Sequence, residues 1–153
     1  MKKINFLTIT LLLVLFSSAC KKDGNGSGSF FSCQLDGAKY YVDGLYAYAT
    51  NFSDDTVIYG VKDQGEGETI YISITKGTTK GTYPFDGDKY FGYYVDKSNK
   101  AHASIWGAGN GSVTIDEIDA THIKGTFQFN AYDADTETVK KEIKSGEFDV
   151  EIR

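Results

Sequence analysis

The side chains best suited to chemistry in this chain are two cysteines, Cys20 and Cys33, and two histidines, His102 and His122, and their spacing decides what they can do. Neither cysteine has a partner at CxxC spacing, so zinc and dithiol redox chemistry are disfavoured. The histidines stand apart from one another with no third ligand at a familiar metal spacing, and both read as surface imidazoles. Asp86-Gly87-Asp88 and Asp133-Ala134-Asp135 offer oxygens of the kind calcium takes, but the twelve-position calcium loop with its terminal glutamate is missing, and both read as turns. Walker loops, zinc-protease helices and nucleophile elbows do not occur. No catalytic, cofactor-binding or metal-ligating residue is assigned on this reading, and a non-enzymatic protein is expected. A hydrolase would need His102 or His122 to meet two acids carried in from distant strands.

Cys20 is different because of what precedes it. Lys2 and Lys3 lead an apolar run from Phe6 to Phe16, followed by the small residues Ser17, Ser18 and Ala19. That run is too short to span a bilayer, which takes roughly 18 to 20 apolar residues, and it reads as a cleavable export signal. The junction resembles a bacterial lipoprotein signal, with Ser17 where leucine is usual. The resemblance implies cleavage between Ala19 and Cys20, acylation of the Cys20 thiol, and a protein held on the cell envelope by lipid, at the outer membrane. The alternative is ordinary secretory cleavage nearby, leaving Cys20 free or paired with Cys33. In the lipidated form Cys33 is the remaining thiol, and its alternation with Phe31 and Leu35 places it on an apolar strand face as a small buried hydrophobe.

Residues 1–19 are thus a signal peptide and residues 20–29 a lipidated cysteine with a tether. Lys21 to Ser29 is polar and rich in Gly and Ser, the composition of a flexible leash. Such a leash spans roughly 15 to 18 Å and at most about 30 Å, so the domain stays close to the bilayer. Lys21, Lys22 and Asp23 resemble part of the signal of surface-exported lipoproteins in the Bacteroidota, which leaves both the periplasmic and the outward-facing orientation open. Removing residues 1–19 takes away two of the 16 basic groups and none of the 21 acids, for a net charge of −7. With Arg153 the lone arginine and no basic cluster, nucleic acid is disfavoured as a partner.

Residues 30–153 read as one all-β domain. Ile70, Ile72 and Ile74 alternate with Tyr71, Ser73 and Thr75; Phe127, Phe129 and Ala131 alternate with Gln128, Asn130 and Tyr132; Phe148, Val150 and Ile152 alternate with charged residues. Half-buried antiparallel strands show this pattern. Further strands are expected over 30–35, 39–42, 45–50, 56–62, 82–85, 90–96, 101–106 and 112–118. Asp36-Gly37 is the strongest hairpin signal, because a type I′ turn needs positive φ at both central residues. Thr136 to Ser145 carries helix-like spacing, Val139 to Ile143 and Glu137 to Lys141, yet the last strand needs a partner and a hairpin arm is expected there. The sum is an antiparallel β-sandwich or barrel of about ten strands.

The aromatics are numerous, and Tyr46, Tyr48 and Trp106 mark a possible ligand face, since exposed rings can stack on sugars or anchor a partner. Parity sets Tyr46 and Tyr48 opposite Leu45, Ala47 and Ala49, and sets Trp106 and His102 opposite Ala101, Ala103 and Ile105. Cross-strand pairing inside a sheet is the plainer use of such rings.

Gly81-Thr82-Tyr83, Gly125-Thr126-Phe127, the 34–39 hairpin QLDGAK, the 113–118 stretch VTIDEI and the 145–150 stretch SGEFDV together resemble a family of small uncharacterised lipoproteins of the Bacteroidota. The resemblance implies an all-β envelope protein with no assigned reaction. Asp55-Thr56-Val57 resembles the three-residue O-glycosylation acceptor of that phylum. The expected function is a membrane-anchored binding or structural module of the envelope, with a possible glycan or envelope-protein partner. The alternative is a glycan or small-molecule binder using the tyrosine-rich face or a barrel mouth. Cys20→Ala is expected to abolish fatty-acid labelling and release the protein from membranes; unchanged membrane retention would refute the lipid anchor.

Overall fold

The computed structural model describes residues 28–62, 67–104, 110–133, 135–137 and 140–153; Ala19, Cys20 and Trp106 lie outside them. Eleven strands follow one another: β1 (Phe30–Leu35), β2 (Ala38–Asp43), β3 (Ala47–Asn51), β4 (Asp55–Val61), β5 (Thr69–Thr75), β6 (Gly81–Pro84), β7 (Tyr90–Val95), β8 (Ala101–Ala103), β9 (Gly111–Ile118), β10 (His122–Asp133) and β11 (Lys140–Glu151). All their pairings are antiparallel, in the order β2-β1-β11-β10-β8-β7-β5-β4-β3, with β9 on the first half of β10 and β6 beyond it.

The two ends of that order come together, so the sheet is a nearly closed barrel. Between β2 and β3 the chain makes a single 3-10 turn at Gly44–Tyr46 and switches neighbours. β3 then lies beside the end of β11, where Ala49 bridges Ile152 and the Arg153 amide donates to the Ala49 carbonyl at 2.8 Å. On the other side of the seam the Tyr40 hydroxyl lies 2.7 Å from the Gly60 carbonyl oxygen, which ties β2 to β4 through a side chain. Closure of this kind removes the open edges that invite pairing with other chains.

Side-chain alternation places the core inside. β10 alternates without a break from Ile123 to Asp133, and Phe31, Ile58, Ile70, Ile72, Ile74, Ile123, Ile143, Phe148 and Val150 have no exposed surface. Four rings are seated on strand glycines: Phe31 on Gly60, Phe129 on Gly92, Phe148 on Gly125 and Phe127 on Gly146. A Cβ at Gly92 would stand 2.8 Å from the Phe129 ring, and one at Gly146 would stand 2.6 Å from Phe127 Cδ1. The missing side chain is therefore what lets each ring lie flat against the sheet.

The hairpin at Asp36-Gly37 has φ of 49° and 81°, the positive pair expected of a type I′ turn. The arm after Thr136 is strand β11. Within that arm β10 and β11 slip register between Phe127 and Phe129, with Ser145 at φ 50°, so the inward positions Ile143 and Gly146 fall three apart. The turn at Gly44–Tyr46 corrects the expectation of a strand from residue 45, and Leu45 is 71% exposed instead of facing inward.

The connections gather at two ends. The β1–β2, β4–β5, β7–β8 and β10–β11 connections lie at the end that β1 runs toward, called distal below. Ser29, the β3–β4 and β9–β10 turns and the C-terminus lie at the proximal end. Gly92→Ala is expected to lower the unfolding free energy by about 1 to 3 kcal/mol through overpacking, read from urea titration. Gly28→Ala, where an added Cβ has nothing within 4 Å, is expected to be neutral. Equal urea midpoints for the two variants would sink the ring-on-glycine packing.

Candidate binding site at the distal barrel mouth

At the distal end the inward-facing row changes from apolar to polar. Ile70 on β5, Tyr94 on β7, His102 on β8 and Asp133 on β10 are successive register partners, and each is at most 3% exposed. Above them lies a cavity of about 230 Å³ lined by Leu35, Asp36, Lys39, Lys62, Glu68 and Lys141, with Tyr40 and Tyr94 at its wall. The Tyr94 hydroxyl donates to Glu68 Oε1 at 2.8 Å, and the single Tyr40 proton is shared between the Gly60 and Glu68 carbonyls at 2.7 and 2.9 Å. Burial pushes both phenols well above their ordinary range, with Glu68 adding to the effect at each. They are neutral donors that fix the rim.

Charges surround this cavity. Lys141 donates to Asp36 Oδ2 and the Glu142 amide to Asp36 Oδ1, both at 2.9 Å. Burial pushes the Asp36 carboxyl up, but the Glu142 amide and Lys141 outweigh it and hold it below the usual carboxylate range. Lys62 sits 3.8 Å from Glu68 and 5.2 Å over the Tyr40 ring, and Lys39 lies 5.2 Å over the Tyr41 ring. Three lysines thus face two carboxylates, a local excess of positive charge on an acidic domain. A typical small-molecule site runs from about 300 Å³ upward, so this notch takes one side chain or one anionic group rather than a whole metabolite. The barrel interior below it is filled by the phenylalanine and isoleucine core.

His102 corrects a sequence expectation. It is not a surface imidazole but 2% exposed, stacked on Tyr94 with ring centroids 5.5 Å apart, and its Nε2 stands 3.5 Å from Asp96 Oδ2. The two alanines flanking it carry almost no facial information, so the strand was assigned the wrong parity. Asp96 is held below its usual range chiefly by the Lys100 amide, with the Ser98 amide and His102 contributing. Lys100 reaches across the β7–β8 turn to pair with buried Asp133, whose Oδ1 also accepts from the Asp135 amide. His122 is at the other end of the barrel, half-buried and 2.6 Å from Asp149 Oδ1. Asp86 Oδ1 accepts from the Asp88, Lys89 and Tyr90 amides, a turn as expected. Among the described residues, no three His, Cys, Asp or Glu side chains are grouped to hold a metal ion.

The tyrosine-rich face takes a different form from the one read in sequence. Tyr48, Tyr59, Tyr71 and Tyr93 are successive register partners on the outer wall of β3, β4, β5 and β7. Their centroids are 5.0, 5.8 and 4.9 Å apart, Arg153 lies 5.4 Å over the free face of Tyr48, and Phe91 meets Tyr93 edge-on at 5.6 Å. The rings therefore spend their faces on each other. Burial by neighbours, with Tyr93 and Tyr59 alongside, pushes the Tyr71 phenol up to about 12. Tyr46 is outside this row, in the 3-10 turn and 39% exposed. Cys33 is a free buried thiol, pushed up to about 12 by burial and only slightly countered by Lys62.

The sequence reading missed the mouth itself, since its lining residues come from four strands, β1, β2, β7 and β11, and two connections. The hint was that Tyr40 and Tyr94 keep inward parity while carrying a polar tip. Acid should test the mouth. The Lys100 ammonium brings Asp133 from 3.8 to about 2, and Lys144 then Lys140 bring Glu142 from 4.5 to about 2. Folded carboxyls with depressed pKa values contribute stability above the unfolded values, and it is lost as pH falls toward the folded ones. The wild type should lose stability between about pH 4.5 and 2, and Asp133→Asn/Glu142→Gln should lose less, by urea unfolding at each pH. The exposed Glu142 share should be screened by salt while the Asp133 share persists; parallel curves for the two proteins would refute the assignment.

No curated protein and no solved structure matches this chain significantly. Residues 29–150, nearly the whole barrel, match the family described as a domain of unknown function, DUF6252, and the chain belongs to that family.

Proposed function

We propose that this protein is a membrane-anchored, non-enzymatic binding module of the bacterial cell envelope, tethered through lipid on Cys20, that docks an anionic group of an envelope component in its distal mouth. The observation that carries the reading is the opposition of two features. Ser29, where the tether joins, is pinned at the proximal end by the Gly44 amide on its carbonyl at 2.8 Å and by the Glu151 amide on its hydroxyl at 3.0 Å. The lysine-rich notch lies at the other end, turned away from the anchor. A short tether on one end and a polar socket on the other suit a module that presents itself to something beyond its own membrane surface.

A second reading, glycan recognition on the outer wall, rests on the row of partly exposed tyrosines Tyr48, Tyr59, Tyr71 and Tyr93. It would work by hydrogen bonds, because the ring faces are already engaged. The two readings separate by photo-cross-linking in intact cells, with a photoreactive residue at Lys39 in the mouth or at Tyr59 on the wall. Adducts formed from Lys39 and lost on Lys62→Glu are the expected result. Adducts from Tyr59 alone, or none from Lys39, would overturn docking at the mouth.

A further inference from the structure

The large apolar side chains left widely exposed among the described residues are Tyr41 at 46%, Leu45 at 71%, Tyr46 at 39% and Phe52 at 49%. All four belong to one stretch of chain, from the end of β2 through the 3-10 turn to the residue after β3. The centre of that stretch is hydrogen bonded to the tether's attachment point, Gly44 N to Ser29 O at 2.8 Å. Scattered single apolar residues on a surface need no explanation, but four within twelve residues around one anchor point do. Leu45 is held outward by a turn whose Gly44 adopts φ 58°, so its exposure is built into the backbone.

What covers this ridge follows from the chain that leads to it. Between Cys20 and Phe30 run nine polar residues, Lys21 to Ser29, which reach roughly 15 to 18 Å as a coil and about 30 Å at full stretch. With Cys20 acylated, the leaflet holding its chains must lie within that distance of Ser29, and the surface beside Ser29 is the one brought against it. Leucine and phenylalanine suit the acyl boundary, while tyrosines suit the headgroup level, where one end is apolar and the other wet. Asp43 in the same stretch and the net charge of the domain disfavour strongly anionic lipid, so the contact is hydrophobic in character and tolerant of salt.

We propose that Leu45, Tyr46 and Phe52, with Tyr41 under Lys39 at their mouthward edge, form a bilayer-facing ridge that dips into the interface of the leaflet carrying the protein's own lipid, which sets the barrel's orientation and turns the distal mouth outward. This rests on the lipid-anchor reading of Cys20. The test uses the lipidated mature chain in phosphatidylcholine vesicles, with Trp106→Phe removing the native indole and Leu45→Trp or Lys97→Trp reporting position. Circular dichroism checks that each variant keeps its β-sheet signature. Flotation with the vesicles reads the anchor, and quenching by brominated acyl chains reads the ridge. The expected result is flotation of both variants, with a blue shift and loss of most emission for Leu45→Trp and little change for Lys97→Trp. Flotation with Leu45→Trp unquenched, or both reporters quenched alike, would overturn the ridge and leave the anchor standing. Failure to float would overturn the anchor and the ridge with it.

Discussion

Four phenylalanine rings lying on four strand glycines are the constraint that the remainder of this barrel depends on. Two pairs join elements far apart in sequence, β1 to β4 and β10 to β7, and the other two staple the consecutive strands β10 and β11 to each other. A side chain at any of those glycines would lift a ring off the sheet, and the wall could not curve as tightly. Interiors packed to crystal-like density transmit such changes to their neighbours. Because rings and isoleucines fill the inside, the rim and the outer wall are the surfaces left open to other molecules.

That packing rule also explains what the sequence hid. A glycine in a strand pattern is easily taken for punctuation, yet Gly125 and Gly146 both lie well inside twelve-residue strands. A glycine that makes room for a ring and a glycine that turns a chain look alike in one dimension. Alternation was more informative: the facing sets on β5 and β10, the buried Cys33 and the Asp36-Gly37 turn are all where parity and turn chemistry place them. Parity failed at His102, whose strand neighbours are alanines, and at Leu45 and Tyr46, where the chain turns before β3 begins.

The two aromatic groupings divide by what their faces touch. The outer tyrosine row is closed on itself, with guanidinium and phenyl groups at its ends, and so strengthens the wall where β3, β4, β5 and β7 meet. The ridge near Ser29 is open, its four side chains 39 to 71% exposed among the described residues, with only Lys39 laid over the Tyr41 ring. Only side-chain geometry separates these cases, because the residue type alone does not say whether a tyrosine ring is covered. The distal mouth was equally invisible in sequence: Asp36, Lys62, Glu68, Tyr94 and Lys141 become neighbours only through register.

β1, the first strand to be made, lies against β11, the last. The seam beside it is sealed by Arg153, whose amide donates to the Ala49 carbonyl. Pairings of such sequence separation are slow to form, because the loop between them must be closed before any contact rewards it. The barrel therefore has no complete intermediate form while its tail is missing. A polypeptide built this way commits to its barrel only once β11 has reached β1.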